Sequence, residues 1–276
     1  MDYTAPIAVV TGAARGIGKQ IATDLLAAGY RVVIGDLSLV DTKRVAAELG
    51  ENCFAVELDV TNLRQLTKVV DTIEKTIGTI AVWINNAGIM PTGRVLGQDP
   101  ALAAKIIDVN MRGTYEAIGV ILPRMIERRA GTIVNIASAT GIKPLAGLAV
   151  YSSTKAAIIA YSDSLRRELR GTGVRVCVVA PNLARTAMSA GITAPRVSGS
   201  VSAEQVSRTV LGAIRTGRFL STVPRWLKPV IRLNKAMPIR LQDWLDDRIR
   251  MDRIGLDGDP SARAAYLAEA LENQDE

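Results

Sequence analysis

Residues 6–18 read PIAVVTGAARGIG, an apolar, β-branched run that stops at a glycine and is followed by the helix-like stretch Lys19–Ala28. This order predicts a strand, a tight turn and a helix, which is the arrangement of a loop that cradles a phosphate. Gly12, Gly16 and Gly18 would permit the turn, the close approach of the backbone to a pyrophosphate, and the packing of helix on strand. A glycine turn that binds no ligand is the alternative.

A second apolar segment, Arg31–Gly35, is predicted to be the next strand, and it ends at Asp36. An acidic side chain at this point can accept hydrogen bonds from an adenosine ribose diol, and its charge would repel a 2′-phosphate. Arg15 acts in the opposite sense, because a cation in the glycine loop could pair with that phosphate. We give Asp36 more weight, so NAD is the predicted cofactor and NADP is less favoured. Arg15 and Ile17 are also predicted to contact the cofactor.

Further apolar runs alternate with helical stretches along the chain. Their nearly continuous hydrophobicity is typical of parallel strands that are covered by helices on both faces. The sequence therefore predicts an α/β fold with a doubly wound parallel sheet of about seven strands. The catalytic domain is predicted to cover residues 1–224, and residues 225–276 form a C-terminal extension packed on or near it. The predicted strands are Ile7–Val10, Arg31–Gly35, Cys53–Leu58, Ile80–Ile84, Thr132–Ile136, Val174–Val179 and, at the edge, Phe219–Val223.

Tyr151 and Lys155 are four residues apart, so on a helix their side chains share one face with Cβ atoms about 5–6 Å apart. Tyrosine normally ionises near pH 10. A unit charge about 5 Å away, at an effective dielectric of about 20, contributes roughly 3 kcal/mol, which would bring the pKa of the phenol to about 8. Tyr151 is therefore predicted to act as a general acid/base. Ser138 is predicted to donate its hydroxyl to a substrate oxygen as negative charge builds up there.

An isolated Tyr-x-x-x-Lys pair also occurs by chance on solvated helices, so the surrounding motifs carry the interpretation. Together they resemble the short-chain dehydrogenase/reductase family, whose motifs are matched in order over roughly residues 5–190. The resemblance implies a Rossmann-type fold and hydride transfer to or from a nicotinamide cofactor. The matches are Thr11-Gly12-x-x-x-Gly16-x-Gly18, Asp59-Val60, Asn85-Asn86-Ala87-Gly88, Asn110, Ser138, Tyr151-x-x-x-Lys155, and Pro181 followed by Thr186.

The resemblance also implies roles for the matched residues. Asp59, with Val60 beside it, would contact the adenine amino group, and the run Asn86, Ala87 and Gly88 would support the adenosine side of the cofactor and the central strands. Asn110 would hold a water in a proton relay. Lys155 and Tyr151 would also bind the cofactor, with Lys155 on the nicotinamide ribose hydroxyls, and Pro181 and Thr186 would lie at the nicotinamide carboxamide.

Three of these positions have structural alternatives. Asn85 and Asn86 could simply cap strand ends, and Asn110 could be a polar interruption that kinks a helix. One position departs from the family pattern, because Asn182 follows Pro181 where such enzymes usually carry glycine. Asparagine tolerates positive φ better than most residues, so we expect the turn to survive.

The composition excludes several classes of enzyme. No histidine occurs in the 276 residues, which excludes Ser-His-Asp hydrolysis, histidine-ligated zinc and a histidine base. Cys53 and Cys177 lie in predicted strands without metal-ligand spacing, so reduced core thiols in the cytoplasm are expected, and no metal is predicted. The first strand begins close to residue 1 and no uninterrupted apolar run reaches about 18 residues, so neither a signal peptide nor a transmembrane helix is expected.

The formal net charge of +7 is concentrated in the C-terminal extension. Residues 215–253 hold ten Lys/Arg and four Asp/Glu, and cations alternate there with large apolar side chains. Pro229 and Pro238 are each predicted to start a short amphipathic helix. We favour a lid over the substrate pocket or subunit packing, and the alternatives are peripheral contact of residues 225–250 with an anionic membrane, or a solvated tail. Nucleic-acid binding is not predicted, and residues 260–276 are expected to be a helix or a frayed tail.

The segment after Pro181 is predicted to determine specificity, with Ala187–Val201 as a mobile flap. Its larger apolar side chains join three others that precede Tyr151, which predicts an apolar pocket for a lipophilic secondary alcohol or ketone, such as a steroid, retinoid or fatty acyl-type compound. The predicted substrate contacts are Ser138, Leu145, Tyr151, Met188 and Ile192, with Ile142 and Leu148 nearby.

The sequence thus predicts hydride transfer between NAD and a lipophilic alcohol or ketone. The alternative is a protein of the same fold that senses or scaffolds with bound NAD and does not turn over. The resemblance also implies a homo-oligomer, a dimer or tetramer built on helices around residues 101–129 and 151–170.

Overall fold

The computed structural model describes residues 5–192, 199–251, 253–259, 261–264, 266 and 268. Within them, seven parallel strands form one sheet in the order β3-β2-β1-β4-β5-β6-β7. The α/β class, the doubly wound sheet and the edge strand are confirmed, and each strand's bounds lie within about two residues of the prediction. The strands are β1 (Ile7–Thr11), β2 (Arg31–Asp36), β3 (Cys53–Glu57), β4 (Ile80–Asn85), β5 (Gly131–Ile136), β6 (Val174–Pro181) and β7 (Leu220–Val223).

Helices cover both faces of the sheet. Along β1, alternate side chains enter opposite layers, since Ala8 and Val10 belong to one buried cluster and Ile7 and Val9 to the other. Because both faces are buried, the strand is apolar from Ile7 to Val10. One layer contains α1 (Gly16–Ala27), α2 (Leu39–Leu49) and α7 (Ala203–Thr216), and the other contains α3 (Leu63–Thr76), α5 (Gly113–Glu127) and α6 (Ala149–Glu168), while α4 (Pro100–Ile107) precedes α5.

A chain of buried hydrogen bonds connects the central strands to α6. The indole of Trp83 donates to Asn85 Oδ1 at 2.7 Å, and Asn85 Nδ2 donates to Asn135 Oδ1 at 2.8 Å. Asn135 Nδ2 then donates to Ser162 Oγ, also at 2.8 Å. Asn85 is therefore a buried link between β4 and β5 rather than a simple strand cap, and the chain fixes the helix that carries Tyr151.

The C-terminal extension packs against the same domain. Its helices are α8 (Leu227–Lys235), α9 (Ile239–Ile249) and α10 (Arg253–Leu256). Leu227 and Ile231 pack on Ala139, and Lys143 Nζ donates to Asn234 Oδ1 at 2.5 Å and pairs with Asp246 at 2.6 Å. The helix α8 contacts the short turn that follows Ser138, while Ile254 of α10 lines the cleft itself.

The two prolines of the extension differ slightly from the prediction. The helix α8 begins at Leu227, two residues before Pro229, and Pro238 is the N-cap of α9 rather than its first residue. Both positions suit proline, because the amides of the first helical turn have no partner within the helix.

No helix in the described ranges is long and apolar enough to cross a membrane. Cys53 and Cys177 are buried free thiols. Burial raises the pKa of each thiol to about 11, which keeps both protonated and unreactive at neutral pH.

Candidate active site

A cleft lies at the carboxyl ends of the strands, where the sheet order reverses between β1 and β4. Such a switch point is where open α/β sheets bind ligands. The cleft brings together the predicted glycine loop, the end of β2, the loop after β4, the Ser138-Tyr151-Lys155 group and the segment after β6. The predicted residues that line it are Gly12, Arg15, Gly16, Ile17, Gly18, Asp36, Asp59, Val60, Asn86, Ala87, Gly88, Ser138, Leu145, Tyr151, Lys155, Pro181, Thr186 and Met188.

The glycine loop requires glycine at each of its three positions. Gly12 and Gly16 have φ of 63° and 56°, a region that side chains disfavour. A Cβ on Gly12 would lie 2.7 Å from Ala87 Cα, and a Cβ on Gly18 would overlap Gly12 O and lie 2.6 Å from Asn86 Nδ2. The loop is therefore pressed against the loop after β4, and α1 begins at Gly16 with its amino end toward the cleft.

Asn86 connects these two loops. Its Nδ2 donates to Thr11 O at 2.9 Å and to Gly12 O at 2.8 Å, while Thr11 Oγ1 accepts from the amides of Asn86 and Ala87 at 3.1 Å. The side-chain amide of Asn86 therefore caps the carboxyl end of β1, as the structural alternative predicts, and it also holds the glycine loop.

Asp36 lies at the end of β2 and is tied to the same loop. Its Oδ2 accepts from the Ala14 amide at 2.9 Å and its Oδ1 accepts from the Leu37 amide at 2.9 Å. The carboxylate is thus held at the cleft wall, where Arg15 also lines the cavity. Farther along the wall, Asp59 Oδ1 accepts from the amide and hydroxyl of Thr61 at 2.8 and 2.7 Å, which orients that carboxyl group.

Ser138, Tyr151 and Lys155 are all buried beside one another. Ser138 follows β5, and its Oγ accepts from the Thr140 hydroxyl at 3.0 Å. Tyr151 and Lys155 lie on α6, with Lys155 Nζ 5.7 Å from the centre of the Tyr151 ring and donating to Ile136 O at 3.0 Å. A hydrogen bond between Ser138 and Tyr151 acts to lower the pKa of the phenol.

The predicted lowering of the Tyr151 pKa is not what this geometry gives. Burial raises the pKa of Tyr151 to about 12, and the neighbouring Tyr266 adds to the rise. Burial also lowers the pKa of Lys155 to about 8. The attraction between ammonium and phenolate favours both charged forms, but desolvation disfavours both and is the larger effect here.

Asn110 lies in a π-helical turn, Asp108–Arg112, between α4 and α5. Its Nδ2 donates to Ile89 O at 2.9 Å and to Thr154 Oγ1 at 3.3 Å, and its Oδ1 accepts from the Ile89 amide at 2.8 Å. A Cβ on Gly88 would lie 2.9 Å from Asn110 Oδ1 and 3.4 Å from Lys155 Nζ. The side chain therefore holds the loop after β4 close to Lys155, and its role in a water relay stays a prediction.

The turn after β6 does not use positive φ at Asn182. Among the described residues other than glycine, positive φ occurs only at Arg129 and Arg250, so the tolerance of asparagine for that region is not what preserves the turn. Instead, Asn182 Nδ2 donates to Gly199 O at 2.9 Å and its amide donates to Val223 O at 2.8 Å. Thr186 follows close to the glycine loop, since a Cβ on Gly16 would lie 3.5 Å from its methyl group.

An apolar cluster forms the wall next to Tyr151. It contains the predicted Leu145 and Met188, together with Leu148, and these line the cleft. The predicted Ile192 packs against the cluster but is not among the residues that line the cleft. Ile142, which was expected in this pocket, packs instead on Ala139 beneath α8. Of the expected flap Ala187–Val201, residues 193–198 lie outside the described residues. Wall residues that the sequence did not indicate are Met90, Leu183, Met251, Ile254 and Tyr266.

Arg263 and Tyr266 join the C-terminal segment to both walls of the cleft. The buried Arg263 guanidinium donates to Met188 O at 2.8 Å and also to Met90 O. The Tyr266 hydroxyl accepts from the Met90 amide at 2.9 Å. Burial lowers the pKa of Arg263. The tail, which is predicted to be a helix or frayed, thus carries two buried polar side chains. The sequence did not indicate their burial, because a cation and an aromatic residue three positions apart are a common pattern.

Comparison with known proteins agrees with this geometry. A family model described as short chain dehydrogenase matches residues 6–196. The chain is 37% identical over 249 residues to 1-deoxy-11-beta-hydroxypentalenate dehydrogenase from Streptomyces exfoliatus, covering 87% of each. It is 36% identical over 218 residues to ketoacyl reductase HetN from Nostoc sp., covering 77% of this chain and 76% of that protein.

The fold is also shared with a solved short chain dehydrogenase/reductase from Burkholderia phymatum in complex with NAD. The TM-score is 0.78 at 24% identity, covering 88% of this chain and 96% of that one. The family model and the two relatives place the chain among the oxidoreductases. The chain is a member of the short-chain dehydrogenase/reductase family.

Proposed function

We propose that the protein transfers a hydride between NAD and a lipophilic secondary alcohol or the corresponding ketone, with Tyr151 as general acid/base. The observation that carries this proposal is the single cleft that holds the glycine loop and Asp36 at one end and Ser138, Tyr151 and Lys155 at the other. Apolar side chains enclose the second end. The two relatives are named as a dehydrogenase and a ketoacyl reductase, which supports the same class of reaction.

The residues present fit a dinucleotide. The glycine loop leaves no room for side chains where a pyrophosphate would approach the amino end of α1. Asp36 would accept hydrogen bonds from the adenosine ribose, and Asp59 would face the adenine. Lys155 and Thr186 would hold the nicotinamide half. Bound NAD would supply the hydride acceptor, and the chain's own residues move the proton.

The proton step follows from the burial of the Ser138-Tyr151-Lys155 group. In alcohol oxidation, the Tyr151 phenolate accepts the hydroxyl proton while Ser138 donates a hydrogen bond to the same oxygen. In ketone reduction, the Tyr151 phenol returns that proton. Because the pKa of Tyr151 is raised to about 12, the phenol is protonated at neutral pH and is ready for reduction. A positive charge on Lys155 or on an oxidised nicotinamide acts to lower this pKa and assists oxidation.

One coupled assay tests the proposal. Reduced cofactor is followed by its absorbance with NAD and with NADP, across a panel of lipophilic secondary alcohols and their ketones. We expect turnover with NAD on apolar members of the panel. If no member is turned over while NADH binds tightly, the protein is a cofactor-binding sensor or scaffold and the proposal fails.

The pH dependence of oxidation should reflect the raised pKa of Tyr151. Between pH 6.5 and 8 the phenolate fraction increases about tenfold per pH unit, so kcat/KM for alcohol oxidation is expected to rise with nearly that slope. Above pH 8 the rise should flatten, since Lys155, with a pKa of about 8, loses its charge. Ketone reduction should stay flat through pH 8, because a phenol with a pKa of about 12 remains protonated there. Initial rates at constant ionic strength check both, and a flat oxidation profile would contradict this role of the phenol.

Asp36 should determine the choice between NAD and NADP. The variant Asp36→Asn keeps an acceptor for the Ala14 amide and removes the charge that repels a 2′-phosphate, while the cation of Arg15 at the same cleft remains and attracts it. We expect the ratio of kcat/KM for NADP to that for NAD to rise about 10- to 100-fold, equivalent to roughly 1.4–2.8 kcal/mol. The control is Asp71→Asn on α3, remote from the cleft. If the ratio of kcat/KM for NADP to that for NAD changes no more in Asp36→Asn than in this control, Asp36 does not determine the choice of cofactor.

Arg263 should position the substrate end of the cleft without taking part in chemistry. In Arg263→Met, the carbonyls of Met90 and Met188 lose their hydrogen-bond donor. The C-terminal segment then no longer connects these two parts of the apolar wall. We expect KM for a lipophilic substrate to rise at least about tenfold, with kcat and the affinity for NADH changed less than about threefold. Arg253→Met, an exposed neighbour, is the control. An equal loss in kcat and kcat/KM would show that this view of Arg263 is wrong.

A further inference from the structure

The outer surface of α8 and of the first two turns of α9 is apolar and cationic, and we call it the amphipathic face. Its large apolar side chains are 42–67% exposed. A surface of this kind is uncommon on a soluble protein unless something binds to it. It is formed by the apolar Trp226, Val230, Leu233, Ile239, Leu241 and Trp244 and by the cationic Arg225, Lys228, Arg232, Lys235 and Arg240.

The α8 helix has three distinct stripes. Leu227 and Ile231 are buried against the domain. Trp226, Val230 and Leu233 are spaced four and three residues apart, so they form an apolar stripe along one flank. Lys228, Arg232 and Lys235 have the same spacing and form a cationic stripe along the other flank. A helix in this orientation presents apolar and cationic side chains together to whatever lies outside it.

In the part of the chain that the structure describes, no cation of the amphipathic face forms an ion pair, and Asp243 is the one acidic residue in the first two turns of α9. No acidic residue occurs from Gln205 through Gln242. Within the described ranges, ion pairs of the extension are limited to Lys143 with Asp246 and Arg253 with Asp257. Neither pair includes a cation of the amphipathic face. Burial, and to a smaller extent repulsion by Arg232 and Arg218, lowers the pKa of Lys228. The repulsion reflects a local positive potential that an anionic partner would stabilise.

We propose that the amphipathic face binds the surface of a bilayer that contains anionic phospholipids. The apolar stripe would enter the boundary between headgroups and acyl chains, and the cations would contact phosphate groups. A second copy of the chain fits less well. A two-fold contact brings the same surface of both copies together, and here it would place two sets of unpaired cations face to face.

The amphipathic face lies close to the substrate end of the cleft. The α9 helix leads directly to Met251 and Ile254, which belong to the apolar wall beside Tyr151. A bilayer on the amphipathic face would therefore lie next to the substrate end of the cleft. Lipophilic compounds partition into bilayers, so they could reach the cleft from the lipid phase. This consequence rests on the proposed function, whereas the lipid contact does not.

The lipid contact is tested by flotation of the purified full chain with vesicles of phosphatidylcholine alone or with about 30% phosphatidylglycerol. We expect binding to the anionic vesicles and little to the neutral ones, and weaker binding at about 1 M than at about 0.1 M salt. Recovery of the protein away from both kinds of vesicle would overturn the proposal. Equal binding to the anionic and the neutral vesicles would show that the cations of the face do not contribute to lipid binding.

Paired variants identify the surface responsible. Arg232→Gln with Lys235→Gln is expected to lower the partition coefficient about 25-fold, since each cation near an anionic surface contributes about fivefold. Leu233→Ser should lower it about tenfold. The matched controls, Lys43→Gln with Lys75→Gln and Val40→Ser, change exposed residues on α2 and α3 and should bind like the wild type. All of these side chains are exposed, and thermal unfolding of each variant verifies the fold.

Two further outcomes decide the interpretation. Tyr151→Phe should bind vesicles like the wild type, so the failure of the catalytic proposal would leave this test unaffected. If instead no vesicle binding is seen and sedimentation shows a dimer that Leu233→Ser dissociates, the face is an interface between copies and the lipid proposal is wrong.

Discussion

Replacing Tyr151 by phenylalanine is expected to lower kcat at least about 10³-fold, because the variant loses only the hydroxyl that moves the proton. A positioned acid or base contributes about 10²- to 10⁴-fold to a reaction of this kind. Burial of Tyr151 and its contact with Ser138 leave little room for a water to replace the lost group. The ring stays in the apolar wall with Leu145 and Leu148, so the affinity for NADH should change less than about threefold.

The matched control is Tyr161→Phe on the same helix. Its ring packs on Tyr115, with centroids 4.4 Å apart, away from the cleft. It should keep kcat within about twofold, and both variants should unfold at nearly the same denaturant concentration as the wild type. Single-turnover rates and NADH titrations measure the two effects separately. Retention of a tenth of the wild-type kcat in Tyr151→Phe would remove Tyr151 from the proton step.

The sheet could be predicted closely because its signals are local. A strand buried on both faces must be apolar at nearly every position, and this pattern is visible at β1 and at β4 without knowledge of their neighbours. The glycine loop is similar, since positive φ at Gly12 and Gly16 is a property of single residues. Its contact with Asn86 could be anticipated from strand order, because the carboxyl ends of adjacent parallel strands meet at one edge.

The parts of the site that were missed depend on contacts between distant segments or on burial. Arg263 meets the Met90 carbonyl across 173 positions of sequence, and no local pattern encodes that meeting. Ile142 has the hydrophobicity of a pocket residue, but α8 covers it. The spacing of Tyr151 and Lys155 predicts that they share one face of a helix. The direction of the pKa shift of Tyr151 depends instead on how much water both groups lose.

Asn182 also differs from the prediction because of a contact with a distant residue. A substitution at a family glycine position suggests a demand for positive φ, yet the backbone here is satisfied without it. The amide side chain instead contributes a hydrogen bond to Gly199 O at 2.9 Å. Asn182 therefore contributes a hydrogen bond that holds the segment after β6, and its backbone is not strained.

Replacing Gly18 by alanine is expected to abolish measurable NAD binding and to lower the free energy of unfolding by about 3 kcal/mol, the upper part of the usual range for overpacking. The added Cβ would overlap Gly12 O and lie 2.6 Å from Asn86 Nδ2 and 2.8 Å from Ala13 Cα. Two of these three neighbours are backbone atoms, so no side-chain rotation relieves the contact. The glycine loop must move away from the amino end of α1, where the pyrophosphate would bind.

The control is the same substitution at Gly119, which also lies inside a helix. Nothing lies within 4 Å of a Cβ at Gly119, so Gly119→Ala should raise the free energy of unfolding by about 0.5–1 kcal/mol through the higher helix propensity of alanine. Identical chemistry is thus expected to give opposite signs at two helical positions, because only one of them faces another backbone. Denaturant titrations compare the stabilities, and calorimetry with NAD compares the binding. If Gly18→Ala binds NAD within twofold of the wild type, the tight contact between the two loops is not what shapes the cofactor site.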